Sequence, residues 1–350
     1  MFFKIKSLYE KGVIIHLHCF EYGRDKQAEL NKYCSSVTYY KRKSFLQSLS
    51  LRLPYIVSSR AEPMLLKNLL KDDHPVLLEG IHCTYFLFKN KLRNKKVTVR
   101  LHNVEYKYYR ELANTTSNII KKIYLFTESR LLKKYEKLIA NKALFLAVSE
   151  KDKSTYIQDF KALAIKYLPV FLLYPEVAIE PGSGTFCLYQ GNLSVPENEK
   201  AALWLLQNVF DTLKIPFVIA GKKPSNYLAK LVNSNKNVCL VDDPSQKEMD
   251  ELIKKAHVHL LPSFNKTGIK IKLLNALFNG RFVITNNAGI EGTAVAHICE
   301  IANLPAEYKE AISRLFKEKF TEANIVNRKK TLHGIYNNDE NVQQLMQWIW

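Results

Sequence analysis

Short apolar runs alternate with amphipathic stretches along the whole chain. In the first half, runs at 76–79, 97–101 and 144–148 are separated by longer stretches with helical periodicity, such as 118–139. Apolar runs of four or five residues that recur between helices are typical of parallel strands buried on both faces. A further run, Tyr55–Ser58, is predicted as a strand on the same grounds. The pattern predicts the α/β class.

The alternation restarts after a segment marked by proline and glycine. Residues 173–184 contain Pro175, Pro181, Gly182 and Gly184, which favour a connecting loop. A length of 350 residues also suits two domains better than one. We therefore predict a first domain at 1–172, a linker at 173–184 and a second domain at 185–320.

Polar side chains follow several predicted strands of the first half. In open α/β sheets, ligands bind beyond the carboxyl ends of the strands. The residues at these ends are His18, Glu21, Tyr22, Arg24, Glu79, Gly80, His82, His102, Asn103 and Glu105. Histidine can move a proton near neutral pH, and a carboxylate can orient it or act as a base. The alternative is structural, with Asn103 capping a helix and His102 satisfied within a loop.

The stretch 260–292 of the second half combines a strand, a turn, a helix and another strand. Apolar positions 269, 273, 274, 277 and 278 give the helix one buried face. Lys270 and Lys272 lie in its first turn, where the helix dipole disfavours cations by about 0.3–1 kcal/mol. Two lysines there are consistent with a phosphate bound to the free N–H groups of the helix. The alternative is that both are solvated surface charges.

Charge is unevenly distributed. The chain has 52 Lys+Arg against 33 Asp+Glu, and residues 1–180 hold 32 of these basic residues but only 17 of the acidic ones. Basic clusters occur at 41–43, 89–96, 121–122 and 130–137. An excess of this kind indicates nucleic acid, an anionic membrane surface or an anionic substrate as partner. We interpret the first half as facing an anionic membrane, although single clusters can be solvated helix faces.

Other sequence features exclude several classes of protein. The six cysteines have no metal-ligand or redox spacing, which favours a reduced cytoplasm and no bound metal. No apolar run reaches the roughly 18 residues of a membrane span, and no signal peptide opens the chain. G-x-G-x-x-G, P-loop and nucleophile-elbow motifs are absent, as are helix-turn-helix, RNP and zinc patterns. The sequence predicts a cytoplasmic protein, peripheral on the inner membrane face, that does not bind nucleic acid.

Several segments resemble GT-B glycosyltransferases that assemble bacterial surface polysaccharides. The second half carries Y-Q-G-N-L-S-x-P-x-N from Tyr189 and T-G-I-K-x-K from Thr267, and the first half carries R-L-H-N-V-E from Arg100. The resemblance implies two Rossmann-like domains facing a cleft. The first domain would bind the acceptor and the second a nucleotide sugar. Helices at 321–350 would pack back toward the first domain, and the usual first N-terminal strand has no counterpart.

The resemblance also assigns candidate roles. Members usually carry two glutamates eight positions apart, and the matching positions here are Thr267 and Asn275. The candidate donor-binding residues are Gly191, Asn192, Thr267, Gly268, Lys270, Lys272, Asn275, Glu291 and Gly292. The candidate catalytic residues are His102, Glu79, His82 and Glu105. The acceptor-side candidates are His18, Glu21, Arg24 and Asn103.

The resemblance predicts transfer of a hexose from a nucleotide sugar to a lipid-linked or oligosaccharide acceptor. The nucleotide sugar would be a co-substrate, with no resident cofactor or metal. Three alternatives remain open at this point: a nucleotide-sugar epimerase of the same architecture, a degenerate GT-B protein without activity, and a nucleic-acid binder that exploits the net charge of +19.

Overall fold

The chain forms two compact units. The computed structural model describes residues 1–21, 23, 25–48, 50–174 and 176–350. One unit comprises Met1–Leu173 together with Tyr336–Trp350, and the other comprises Tyr174–Ile335. Arg24, a predicted acceptor-side residue, lies outside the described residues, as does Tyr22.

The first unit is built from parallel strands and flanking helices. Its strands are β1 (His16–Phe20), β2 (Ser36–Tyr40), β3 (Val76–Glu79), β4 (Val97–Arg100), β5 (Leu144–Ala147) and β6 (Ile165–Tyr167). Its helices up to this point are α1 (Phe2–Glu10), α2 (Phe45–Ser48), α3 (Tyr55–Ser58), α4 (Pro63–Leu69), α5 (Tyr85–Phe88), α6 (Glu105–Thr115), α7 (Ile119–Ile139) and α8 (Glu150–Phe160). Strands β1 and β2 form one sheet, and β3-β4-β5-β6 form another. Val99 and Phe145, on the two central strands of the larger sheet, are fully buried.

The prediction of a strand at Tyr55–Ser58 is wrong, because these residues form α3. Pro54 precedes the helix, and its fixed φ suits a helix start. The backbone N–H of Tyr55 donates to Glu128 Oε2 at 2.9 Å, so a carboxylate from α7 satisfies a free donor of the first turn. A four-residue apolar run cannot reveal a partner that lies 73 residues away.

A buried carboxyl group joins three helices of the first unit. Glu136, on α7, accepts hydrogen bonds from the backbone N–H groups of Glu105 and Tyr106 at 3.1 and 3.0 Å, and from the Tyr156 hydroxyl at 2.7 Å. It therefore caps the start of α6 and ties it to α8. Burial raises the pKa of Glu136 to about 8, although these hydrogen bonds act in the opposite direction and lower it. Burial likewise raises the pKa of Glu105 and of Glu128 to about 7.

The contribution of Glu136 to the free energy of unfolding of this unit is expected to fall as pH rises from about 5 to 8. A carboxyl group with a folded-state pKa near 8 and a reference value of 4.5 holds its proton more tightly in the folded state. Its stabilising contribution is therefore complete below pH 4.5 and is lost as pH approaches 8. The variant Glu136→Gln should show a shallower decline in thermal unfolding curves recorded at pH 5, 6.5 and 8. Glu150→Gln, at an exposed position, is the control, and equal pH slopes in both variants would contradict this account.

The second unit contains one parallel sheet of six strands. Its strands are β7 (Cys187–Gln190), β8 (Phe217–Gly221), β9 (Val238–Asp242), β10 (Val258–Leu260), β11 (Phe282–Thr285) and β12 (Glu300–Ile301). Its helices are α9 (Pro196–Asn208), α10 (Asn226–Asn233), α11 (Gln246–Lys255), α12 (Ile271–Asn279), α13 (Asn287–Ile290), α14 (Pro305–Leu315) and α15 (Glu322–Tyr336). The strand order is β12-β11-β10-β7-β8-β9. Leu188, Leu260 and Ile284 are fully buried, as expected for strands covered on both faces.

The final helix belongs to the first unit. Asn337 follows α15 and caps the next helix, α16 (Asn338–Ile349). Its side chain accepts hydrogen bonds from the N–H groups of Asp339 and Glu340. The apolar face of α16, including Val342, Leu345 and Ile349, packs in one cluster with Leu146 and Leu168. The end of the chain is thus part of the core of the first unit.

All six cysteines are free thiols. In that part of the chain, no group of three His, Cys, Asp or Glu side chains is arranged to hold a metal ion. None of the described helices has the length and apolarity needed to cross a bilayer.

Candidate functional site

The sheet of the second unit reverses its strand order at β7. From β7 the chain adds β8 and β9 on one side, and it then returns to add β10, β11 and β12 on the other. The loops that follow β7 and β10 therefore leave the sheet in opposite directions. A crevice at such a switch point is the preferred ligand site of an open α/β sheet. The loop after β7 contains Gly191 and Asn192, and the loop after β10 contains Thr267, Gly268 and Lys270.

Lys272 connects these two loops. It is the second residue of α12, and its Nζ lies 3.0 Å from the Tyr189 hydroxyl and 3.0 Å from Asn198 Oδ1. Its ammonium group also lies 4.7 Å from the centre of the Tyr189 ring. Asn198 Nδ2 in turn donates to the carbonyl of Asn192 at 2.9 Å. Both hydrogen-bond partners of the ammonium are neutral.

The electrostatics of Lys272 suit an anionic ligand. Burial and, secondarily, the charge of Lys270 lower the pKa of Lys272 to about 8, against a smaller opposing effect of Glu197. A bound anion stabilises a cation most when the cation is shielded from solvent and has no hydrogen-bonded carboxylate. The position at the start of a nine-residue helix adds free N–H groups with the same preference.

Hydrogen bonds fix the loop before α12. Asn265 Oδ1 accepts from the backbone N–H and the hydroxyl of Thr267 at 2.8 and 2.7 Å. Gly268 has a φ of 69°, a left-handed conformation that glycine adopts without strain. Lys270 Nζ donates to the carbonyls of Thr267 and Gly268 at 2.5 and 3.0 Å, so its side chain folds back onto the loop. The prediction that Lys270 lies in the first turn of this helix is therefore wrong by one position, because α12 begins at Ile271 and Lys270 is its N-cap.

The loop after β7 passes very close to the end of β8. The Gly191 N–H donates to the Ala220 carbonyl at 3.1 Å, and the Ser194 N–H donates to the Lys222 carbonyl at 3.2 Å. A Cβ atom on Gly221 would lie 1.8 Å from the Gly191 carbonyl oxygen. Glycine at position 221 therefore permits the loop to take this path.

The remaining donor-side candidates lie on α12 and after β11. Asn275 is in the middle of α12 and is half-buried. Asn286 Oδ1 accepts from Ser263 N–H and Gly289 N–H, both at 3.0 Å, which ties the loop after β11 to the loop after β10. Glu291 and Gly292 follow α13 and are half-buried, and Gly292 has a φ of 75°.

In the first unit, three of the four candidate catalytic residues lie together. His102 Nε2 is 3.1 Å from Glu79 Oε2, and the His102 and His82 rings are 5.8 Å apart, edge to face. Glu79 also forms an ion pair with the buried Lys4. The His102 side chain is 42% exposed, so a ligand can reach it. Partial desolvation of the ring, followed by the charges of Lys4 and Arg100, lowers the pKa of His102 to about 4, which leaves the imidazole neutral at pH 7.

Glu105 occupies a different position from the other three. It lies in the first turn of α6, is 7% exposed and hydrogen-bonds the Asn103 side chain. Burial lowers the pKa of His82 to about 3, so His82 is neutral throughout the physiological range. His102 and Glu79 thus form a hydrogen-bonded pair with the His82 ring beside it, whereas Glu105 and Asn103 bind each other. A catalytic role for these residues stays a prediction.

The other acceptor-side candidates lie on or after β1. His18 is in the middle of the strand, and its Nδ1 is 2.9 Å from the Tyr40 hydroxyl, which accepts a further hydrogen bond from Asn68. Glu21 follows β1 directly, and its N–H donates to the Tyr40 carbonyl at 2.8 Å. A role in acceptor binding stays a prediction for both.

Two residues of the donor-side site were missed as ligands of the lysine. Tyr189 and Asn198 belong to the segment Y-Q-G-N-L-S-x-P-x-N, yet nothing in their spacing links them to a lysine 83 and 74 residues further on. The sequence offers one indication of such a contact, namely that the aromatic residue Tyr189 lies close to the polar end of a buried strand.

Solved structures share this fold over nearly the whole chain. Sucrose-phosphate synthase from Thermosynechococcus elongatus matches with a TM-score of 0.69 and 12% identity, covering 98% of this chain and 90% of that one. Anabaena HepE in complex with UDP and glucose matches with a TM-score of 0.67 and 11% identity, covering 99% and 94%. Residues 184–318 match the family model described as glycosyl transferases group 1. This chain carries a group 1 glycosyltransferase domain within a GT-B fold.

The GT-B fold class and the assignment as a glycosyltransferase are therefore confirmed. The group 1 domain coincides with the part of the chain that holds Lys272 and its neighbours. A relative from Klebsiella pneumoniae, described as an uncharacterized 44.6 kDa protein in the cps region, is 29% identical over 287 residues, or 77% of this chain and 72% of that protein.

Proposed function

We propose that this glycosyltransferase moves a hexose from a nucleotide sugar to a lipid-linked or oligosaccharide acceptor in surface polysaccharide synthesis. The observation that carries the proposal is Lys272, a half-buried ammonium at the start of α12 whose hydrogen-bond partners in the described part of the chain, Tyr189 and Asn198, are neutral. The presence of UDP in HepE and the cps region of the Klebsiella relative support the nucleotide sugar and the polysaccharide respectively.

The donor half of the mechanism follows from the second unit. The diphosphate would bind to Lys272 and to the free N–H groups of the first turn of α12. As the bond between the anomeric carbon and the diphosphate oxygen breaks, negative charge develops on the leaving group, and the lysine stabilises it. Glu291 would accept hydrogen bonds from ribose or sugar hydroxyls. Thr267 and Asn275, where relatives usually have glutamates, would contact the donor through neutral groups.

The acceptor half follows from the pair of His102 and Glu79. If Nε2–H donates to Glu79, the lone pair of Nδ1 is left to take the proton of an acceptor hydroxyl. The resulting oxygen attacks the anomeric carbon, and the imidazolium is stabilised by the Glu79 carboxylate. The proposal needs no resident cofactor or metal, and it includes peripheral attachment to an anionic membrane where a lipid-linked acceptor is presented.

Binding of nucleotide diphosphates is expected to depend on Lys272. In thermal unfolding with UDP, GDP, ADP and CDP, one nucleotide at 100 times its Kd should stabilise the chain by about 2.7 kcal/mol. Lys272→Met removes the cation but keeps an apolar stem over Tyr189, and it should weaken binding about tenfold to a hundredfold, as loss of a charged hydrogen bond costs roughly 1.5–3 kcal/mol. Binding to the wild type should also weaken above pH 8, because the free ammonium then loses its proton.

The matched control is Lys266→Ala, an exposed lysine in the same loop. It should bind like the wild type. If no nucleotide stabilises a cooperatively folded protein, or if the two variants lose affinity equally, the donor site proposed here is wrong. With the donor identified, acceptor assays separate the alternatives, since an epimerase would release an altered nucleotide sugar without any acceptor.

A further inference from the structure

Helix α7 separates its charges by sign. Its two acidic residues, Glu128 and Glu136, are buried at 5% and 0% exposure, where they bind backbone N–H groups. Its basic residues are all exposed or half-buried, namely Lys121, Lys122, Arg130, Lys133, Lys134 and Lys137. An ordinary solvated helix mixes both signs on its outer surface. The outward surface of α7 presents positive charge only.

Large apolar side chains accompany this charge at the start of the helix. Ile119, Ile120 and Ile123 are 71%, 78% and 63% exposed. Positions 120 and 123 lie on the same side of the helix as Arg130 and Lys134. In an α-helix, residues that are three, seven, ten or fourteen positions apart in sequence lie on nearly the same face. Three exposed isoleucines within five residues form a patch, which single surface apolar residues do not.

A second group of residues contacts α7 near these isoleucines. The Phe45 ring lies 6.2 Å from the Tyr124 ring, and Tyr55 N–H donates to Glu128 Oε2, so both Phe45 and Tyr55 lie against the first half of α7. Leu46 and Leu51, which lie between these two residues in the sequence, are 87% and 91% exposed. We define the basic–apolar face as residues 46 and 51 together with the outward-facing side chains of α7.

We propose that the basic–apolar face docks on an anionic lipid bilayer, with the isoleucines and leucines entering the boundary between headgroups and acyl chains and the lysines at the level of the lipid phosphates. This inference rests on the proposed function only in that it explains how a lipid-linked acceptor would be reached. Basic and apolar side chains on one surface are typical of helices that lie in the membrane interface. Each basic residue near such a surface contributes through its attraction to anionic lipids.

Charge argues against two other occupants. A second copy of the same face would bring like charges together, which is unfavourable for an isologous contact. Nucleic acid would neutralise the lysines but would leave the isoleucines and leucines exposed, because aliphatic side chains offer neither the hydrogen bonds nor the aromatic stacking by which such ligands are held.

The test is flotation of the full chain with phosphatidylcholine vesicles and with vesicles in which a third of the lipid is phosphatidylglycerol. We expect at least tenfold stronger partitioning onto the anionic vesicles, reduced by 0.5 M NaCl. Ile120→Ser with Ile123→Ser should reduce partitioning about tenfold or more, since each side chain loses burial in the bilayer. Lys134→Ala and Lys137→Ala, which remove exposed lysines on the same side of α7 as these isoleucines, should each reduce it about fivefold.

The matched control lies on α15 of the second unit. Val326→Ser with Lys330→Ala removes one exposed apolar and one exposed basic residue there and should partition like the wild type. Equal binding to neutral and anionic vesicles would overturn the proposal. Isoleucine variants that bind vesicles like the wild type would also overturn it, as would polyanionic RNA binding more tightly than the anionic vesicles and losing affinity in the lysine variants.

The outcome is separable from that of the donor experiment. Isoleucine and lysine variants should keep the wild-type unfolding midpoint and the wild-type stabilisation by nucleotide, because the altered side chains are exposed and belong to the first unit. Failure of nucleotide binding with intact vesicle binding would refute the donor site alone, and the reverse result would refute the membrane face alone.

Discussion

Replacing His102 by asparagine is expected to lower kcat about a hundredfold to ten-thousandfold, the usual range for loss of a general base. Asparagine retains a polar group near Glu79 but cannot take a proton from the acceptor. The Glu79–His102 pair is reachable from solvent, and the imidazole is neutral at pH 7, as a base must be. The measurement is initial-rate kinetics with the donor identified by thermal unfolding.

Two further variants define the role of the pair. Glu79→Gln should lower kcat less than His102→Asn, because it weakens stabilisation of the imidazolium and leaves the base in place. His16→Asn, an exposed histidine on β1, should keep wild-type rates. Nucleotide affinity should be unchanged in all three variants. Wild-type kcat in His102→Asn would assign acceptor activation to another residue.

Replacing Gly221 by alanine is expected to destabilise the second unit by about 1–3 kcal/mol or more, the range for atoms forced into packed structure. The added Cβ would lie 1.8 Å from the Gly191 carbonyl oxygen, and both partners are backbone, so no side chain can rotate away. The loop 191–195 must shift to make room. Because Asn192 in this loop binds Asn198, a partner of Lys272, nucleotide affinity should fall together with the unfolding midpoint.

Gly334→Ala provides the contrasting substitution. Position 334 lies within α15, and a Cβ atom there would meet no atom within 4 Å. Alanine is favoured over glycine in a helix by up to about 1 kcal/mol, so this variant should be slightly more stable than the wild type. If Gly221→Ala unfolded like the wild type and bound nucleotide normally, the close approach of the two loops would have no energetic importance.

Much of the fold follows from local pattern. The strand Val76–Glu79 is found at its predicted bounds, because buried parallel strands give short apolar runs flanked by polar residues. Helix α7 begins and ends within one residue of the predicted range 118–139. Its periodicity over 21 residues leaves no competing interpretation.

Contacts distant in sequence could not be predicted in this way. Tyr55–Ser58 is a helix partly because Glu128 satisfies its first N–H group, and Lys272 is desolvated because Tyr189 and Asn198 fold against it. Their position at the start of a predicted helix made both Lys270 and Lys272 candidate anion ligands. Only the fold separates them, since Lys270 binds its own loop while Lys272 joins two loops.

The separation of charge on α7 also bears on how such a protein can evolve. The residues that stabilise the first unit, Glu128 and Glu136, point inward, while the lysines and isoleucines of the basic–apolar face have almost no part in folding. Substitutions on the outer side of α7 can therefore change which surface the protein binds with little loss of stability. One helix thus carries two traits on which selection can act independently.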